Sequence, residues 1–176
     1  GGSQGSHALN RLVGDLLTRL STEERAAWQF IHLAGTQEAQ EVRQRYDASG
    51  VPGWVASHVV EVDYLYQLAD VVIARAGAAT IAELARSGRP AILVPYSHAA
   101  GHQRDNAALV ESVGGGVMME EADASAPRVL GTLRRMAQDA RLRQMMATQM
   151  RLLARPQATE RLALLIEIAA SGVAHA

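Results

Sequence analysis

The sequence predicts an α/β fold, with an open parallel sheet, helices on its faces and a helical carboxyl-terminal third. Three observations predict it. Short continuous apolar runs such as Val71–Ala74 and Ala91–Val94 alternate with stripes of helical spacing. Glycine or proline closes most of those runs, and after Ala126 only helical patterns follow. The composition agrees: 176 residues with 48% hydrophobic but only 4% aromatic residues must build a core from Leu, Val, Ile, Ala and Met. Such side chains suit close packing of helices on a sheet better than an aromatic-rich sandwich.

Composition also excludes classes of function. A formal net charge of −1 offers no basic field for phosphate backbones, so nucleic acid is not an expected partner. With no Cys, disulfide frameworks, thiolate zinc sites and thiol nucleophiles are ruled out. No run of about 18 apolar residues exists, and the first ten residues lack the charged and apolar regions of a secretory leader, which makes the cytoplasm the expected compartment.

The elements follow in order. Leu9, Leu12, Val13, Leu16, Leu17 and Leu20 form the stripe of an amphipathic helix starting near Ser6, after a glycine-rich loop. A strand is expected at 28–33 and a polar helix from Thr36 to Ala48. A second strand at 54–59 follows the Val51-Pro52-Gly53 breaker and leads to a short helix through Tyr64, Leu65 and Leu68. Strands at 71–74, 91–95 and 116–119 alternate with helices over Thr80–Arg86 and Asp105–Val113. Helices over Pro127–Ala137, Ala140–Leu153 and Pro156–Ala170 complete the chain. This is a Rossmann-like open parallel sheet, read as one domain over residues 1–176. A glycine loop that opens a helix normally follows a strand, so a strand leading into Gly1 is expected from a longer chain or from another segment.

Three places carry candidate chemistry. Gly1-Gly2-Ser3-Gln4-Gly5 precedes the first helix, where free backbone N–H groups and the positive helix end suit a phosphate, although many such loops are plain turns. Arg75-Ala76-Gly77-Ala78-Ala79-Thr80 repeats the strand–glycine–helix turn, and two anion-ready helix starts on one sheet edge suggest a diphosphate. Glu83, one turn into that helix, can accept hydrogen bonds from ribose hydroxyls or simply complement the helix dipole. After the 91–95 strand, Tyr96, His98, His102, Gln103 and Asn106 place amides, imidazoles and a phenol at the same edge, and amides there suit sugar hydroxyls. No third ligand at helical spacing joins His98 and His102, so no metal is expected.

These motifs also resemble a known family. GGSQGxxxLN, then ADVVIxRAGAxTxxEL, then the Gly88–Pro95 run followed by His98, Gln103 and Asn106, then PxATERL, are similar in order to the carboxyl-terminal domain of the MurG family. The resemblance runs from Gly1 to about Arg161. It implies one half of a GT-B fold, the half that holds UDP-GlcNAc in a bacterial transferase moving GlcNAc to a lipid-linked muramyl-pentapeptide in peptidoglycan (lipid II) synthesis. Carried over residue by residue, it implies that Ser3 and Gln4 lie on the phosphate loop. Ala78, Ala79 and Thr80 would face the diphosphate and sugar, with Arg75 close by to stabilise the leaving group's charge. Glu83 would hold ribose, Val59 would offer backbone groups to uracil, and His102, Gln103 and Asn106 would read the sugar.

The sequence departs from the family pattern in three places. His102 stands where the family has the first amide of a Gln pair, His58-Val59-Val60 replaces a stretch that starts with Phe, and Ala76 replaces a frequent Ser. The resemblance further implies inverting transfer with no cofactor and no obligatory metal. The acceptor site and catalytic base would belong to an amino-terminal domain not included in these 176 residues, since none of His7, His32, His58, His98 and His102 has an acceptor to act on. The whole enzyme is expected on the cytoplasmic face of the bacterial inner membrane, and the chain alone is expected to transfer no sugar. A nucleotide-sugar-binding subunit or other GT-B glycosyltransferase that needs a partner chain, and a trimmed scaffold without activity, are the alternative readings.

Overall fold

The computed structural model describes residues 6–98 and 101–173. Helix α1 (His7–Leu17) is followed by α2 (Thr22–Ala27), β1 (Phe30–Leu33), α3 (Ala39–Ser49), β2 (Gly53–Ala56), α4 (Val62–Leu68) and β3 (Val72–Ala74). Then come α5 (Ala78–Ser87), β4 (Ala91–Leu93), α6 (His102–Ser112), β5 (Gly116–Met118), α7 (Ala126–Gln138), α8 (Ala140–Arg151) and α9 (Ala158–Val173). Each of the five expected strands is present and somewhat shorter than expected. The clearest shortening is at 54–59, which pairs only as far as Ala56 and then turns toward α4.

All pairing is parallel, but the strands form two sheets, β1-β2 and β3-β4-β5, rather than one. The start of α1 lies between them. Asn10 Nδ2 donates to Ala34 O, just beyond β1, at 2.9 Å, while Arg75 Nε, just beyond β3, donates to Ser6 Oγ at 3.1 Å. A strand leading directly into α1 would therefore enter between β1 and β3. The burial pattern agrees, because β4 is buried throughout while β1 and β3 are only partly covered.

Packing explains why β4 is central. Its side chains alternate between two faces: Ile92 and Val94 join a core with Leu12, Leu16, Val129 and Met136, while Ala91 and Leu93 join Leu84, Val110 and Met150. A strand flanked on both faces needs an uninterrupted apolar run, and Ala-Ile-Leu-Val supplies it. Gly88 ends α5 in a left-handed conformation (φ 62°) that L side chains rarely adopt, with the Arg151 guanidinium packed against it. Gly116 lets β5 approach β4, since a Cβ there would lie 2.7 Å from the carbonyl oxygen of Ala91.

Helix α2 is an addition to the expected elements. Ser21 and Glu24 cap it reciprocally, each side chain bonding to the other's backbone N–H, and its signal in the sequence is the Ser-x-x-Glu spacing. At the other end of the chain, α9 leaves Leu162, Leu164, Leu165, Ile166 and Ile168 exposed.

Candidate functional site

Because the strands within each sheet are parallel, the starts of α5 and α6 share the carboxyl edge of β3 and β4, and Arg75 ties the start of α1 to the same edge. Open sheets bind ligands on that edge. Helix α5 starts at Ala78 after Gly77, and no side chain caps it. Its first N–H groups are the unbonded donors of a helix N-terminus, with Ala78 and Ala79 exposed and Thr80 half-buried.

Two amides from the first turns of α6 hold the backbone at this edge. Gln103 Oε1 accepts from Ala76 N at 3.3 Å and from Tyr96 N at 3.0 Å, and Asn106 Nδ2 donates to Ala76 O at 2.9 Å. Both polar groups of the buried Ala76 are thereby satisfied by α6. The bonds also fix the amide orientations: Gln103 turns its oxygen inward, which leaves its NH2 group to donate outward, and Asn106 keeps its Oδ1 as an acceptor. His102 is exposed at the first position of α6.

Arg75, expected close to the diphosphate, is fixed by protein partners at this edge. It is buried, and every guanidinium nitrogen is engaged: Nε on Ser6 Oγ, Nη1 on Val94 O and Pro95 O at 3.1 and 3.2 Å, and Nη2 on Glu121 at 2.7 Å. It also lies 5.3 Å from the centroid of the Tyr96 ring. Arg75 thus clasps α1, the loop after β4 and the loop after β5. Glu121 in turn accepts from Ser97 N and Oγ, and its carboxyl is held below the usual range, chiefly by the bond from Arg75. His98 braces the same loop, with Nδ1 3.0 Å from Ser97 Oγ and its ring against Tyr96.

Glu83, half-buried on α5, accepts a hydrogen bond at Oε2 from the Tyr66 hydroxyl of α4 at 2.9 Å. Val59 is half-buried in the segment between β2 and α4, so α4 joins the candidate base-binding segment to the candidate ribose carboxylate. Ser3 and Gln4 lie outside the described residues.

Sequence reading had not singled out Tyr66 or Glu121. Tyr66 is 17 residues from Glu83 and Glu121 is 46 from Arg75, and no local spacing reports contacts at such separations. A second polar chain was equally hidden. His32 Nε2 meets Asn10 Oδ1 at 2.9 Å and its Nδ1 faces the Tyr46 hydroxyl at 3.3 Å, while Asn10 Nδ2 also donates to Glu38 at 3.0 Å. Since the Asn10 amide nitrogen is the donor, His32 must donate from Nε2 and accept from Tyr46 at Nδ1. Burial lowers the His32 pKa to about 4, so the ring is neutral. No group of three or more metal-ligating side chains occurs among the described residues.

The sequence pattern of the glycosyltransferase family 28 C-terminal domain matches residues 1–162. The chain belongs to that family. It is 37% identical over 155 residues to the UDP-N-acetylglucosamine–N-acetylmuramyl-(pentapeptide) pyrophosphoryl-undecaprenol N-acetylglucosamine transferase of Desulfotalea psychrophila, covering 88% of this chain and 42% of that protein. The protein of the same name from Acidothermus cellulolyticus is 39% identical over 175 residues, covering 97% of this chain and 46% of its own length. Among solved structures, Acinetobacter baumannii MurG superposes with a TM-score of 0.79 at 29% identity, over 95% of this chain and 48% of that one. A glycotransferase of kitacinnamycin shares the fold at a TM-score of 0.56 and 21% identity, over 79% of this chain and 42% of its own. This family 28 chain therefore spans less than half the length of these relatives.

Proposed function

We propose that this chain is the donor-binding half of a UDP-GlcNAc-dependent N-acetylglucosaminyltransferase that acts on a lipid-linked muramyl-pentapeptide. The observation that carries the reading is the start of α5, an uncapped helix N-terminus whose preceding peptide is clamped by Gln103 and Asn106. A diphosphate fits such a start, and the sugar attached to it would lie against the outward NH2 of Gln103, the Oδ1 of Asn106 and His102. Ser3 and Gln4 extend the phosphate site, Ala78, Ala79 and Thr80 line it, Glu83 takes the ribose and the backbone near Val59 takes the base. Arg75 acts at one remove, since each of its guanidinium nitrogens already bonds α1, the loop after β4 or the loop after β5.

In this reading UDP leaves as the acceptor hydroxyl attacks the anomeric carbon from the opposite face. The helix starts stabilise the negative charge that grows on the diphosphate, and no metal or cofactor takes part. The acceptor site and the base that deprotonates the hydroxyl lie in the remaining half of the longer protein or in a partner chain, and the assembled enzyme works at the cytoplasmic face of the bacterial inner membrane. The names and lengths of the relatives support this division. Among the described residues no helix is long and apolar enough to cross a membrane.

Incubating radiolabelled UDP-GlcNAc with the lipid-linked acceptor tests the division of labour. The 176-residue chain should give no product, and a longer protein that includes it should give the disaccharide. Transfer by the chain alone would overturn the placement of base and acceptor site elsewhere.

A further inference from the structure

We propose that Tyr66 is a positioning residue for nucleotide recognition, holding the Glu83 carboxylate in the orientation that accepts the ribose hydroxyls of a nucleoside diphosphate. The proposal rests on the reading of Glu83 as the ribose ligand and adds the residue through which that ligand is set. Tyr66 Oη lies 2.9 Å from Glu83 Oε2, and this is the hydrogen bond that the described residues make to the carboxylate. A Glu side chain on a helix has three rotatable bonds, so an untethered carboxylate would sample many orientations and lose freedom on binding. Tying Oε2 to a fixed phenol defines the carboxylate plane and leaves Oε1 and the second lone pair of Oε2 for a vicinal diol.

Tyr66 is suited to fix that plane. Tyr66 is 9% exposed and packs in the apolar cluster that contains Ala76 and Leu84, so the phenol has little freedom of its own. Burial, and then the neighbouring carboxylate, push the phenol above its ordinary pKa, so it remains a donor at any physiological pH. Because α4 directly follows the segment that contains Val59, the same short helix places base and ribose contacts relative to each other. A second polar link between α4 and α5, Asp63 with Arg86 at 3.7 Å, is exposed on both sides and serves as the control.

The test is calorimetric titration of the full chain with UDP and with 2′-deoxy-UDP, comparing wild type with Tyr66→Phe, Glu83→Gln and Arg86→Gln, each checked for an unchanged melting transition. Wild type should prefer UDP. Tyr66→Phe should weaken UDP binding roughly fivefold, the scale of one hydrogen bond, while leaving 2′-deoxy-UDP within about twofold. Glu83→Gln should abolish the preference, and Arg86→Gln should retain it. If Glu83→Gln abolishes the preference and Tyr66→Phe leaves it at the wild-type ratio, the positioning role is wrong and the ribose reading stands. Equal losses for both nucleotides in Tyr66→Phe would make Tyr66 a purely structural residue and overturn the proposal. If Glu83→Gln keeps the preference, the ribose reading fails, and the role of Tyr66 fails with it.

Discussion

Arg75 and Glu121 form a 2.7 Å ion pair that joins the end of β3 to the loop after β5, and the same guanidinium reaches Ser6 at the head of α1. The side chains are 10% and 26% exposed, so the pair is shielded from water on the Arg75 side. Arg75→Lys would keep the charge but lose the planar fork that serves four acceptors at once, with an expected loss of about 2 kcal/mol or more in stability. Glu121→Gln keeps a neutral acceptor and should cost about 1 kcal/mol. Chemical denaturation of the two variants measures both.

The same pair gives a pH dependence with a definite sign. The Glu121 carboxyl is depressed in the folded chain, so its stabilisation is present above the ordinary Glu range and is lost as pH falls through the lowered folded value. The stability difference between wild type and Glu121→Gln should therefore shrink on acidification. A difference that stays constant down to pH 3 would show that the carboxylate charge contributes nothing.

His32 acts over a different window. Its folded pKa is lowered from 6.5 to about 4, so the unfolded chain takes up the proton first and stability falls as pH drops from about 6.5 toward 4. The loss should reach up to about 3 kcal/mol from this group. Tyr46→Phe removes the donor to Nδ1 and should cost about 1 kcal/mol at neutral pH. Melting curves of wild type and His32→Asn across this range separate the His32 contribution from that of the carboxylates.

Gln103 has two tasks that one substitution can separate. Gln103→Glu retains the oxygen that accepts from Ala76 and Tyr96 but removes the outward NH2 group. The variant should keep its melting temperature, lose some UDP affinity to repulsion between the new carboxylate and the diphosphate, and lose roughly tenfold more for UDP-GlcNAc. Gln103→Ala should lose stability as well. Equal UDP-GlcNAc binding by wild type and Gln103→Glu would remove the amide from sugar recognition.

The two sheets predict uneven backbone protection. Among the described residues β1 pairs only with β2, and β3 only with β4, so amides on their facing edges should exchange faster than those of β4. Extending the chain on its amino-terminal side with the preceding segment of a longer relative should slow exchange on both edges. Unchanged exchange would mean that no strand inserts there.

Much of this architecture was legible in the chain because it is written locally. The run Ala91–Val94 can be buried on both faces only as an inner strand, and Gly88 marks the left-handed end of α5 at the residue where the helix stops. Strand ends were less legible. Apolar character continues past Ala56 through Val59 and Val60, yet strand pairing ends at Ala56, followed only by a bond from Gly35 N to Ser57 O, before α4 starts at Val62. The candidate site was legible as a set of helix starts and amides, since glycine turns and amide-rich first turns are sequence features. Its internal wiring was not. Arg75 reads as a cation beside a phosphate, and nothing near it in sequence reports that Glu121, Val94 and Pro95 accept from its guanidinium.

The central claim, that this family 28 domain carries the donor site at the carboxyl edge of β3 and β4, is tested most directly by titrating UDP-GlcNAc into the 176-residue chain in a calorimeter, with ADP as the comparison. The account predicts saturable binding at a single site, retained largely by UDP, absent for ADP, and weakened by about 1–3 kcal/mol in Glu83→Ala with the fold intact. No heat and no thermal stabilisation at millimolar UDP-GlcNAc, or equal binding of UDP and ADP, would contradict it.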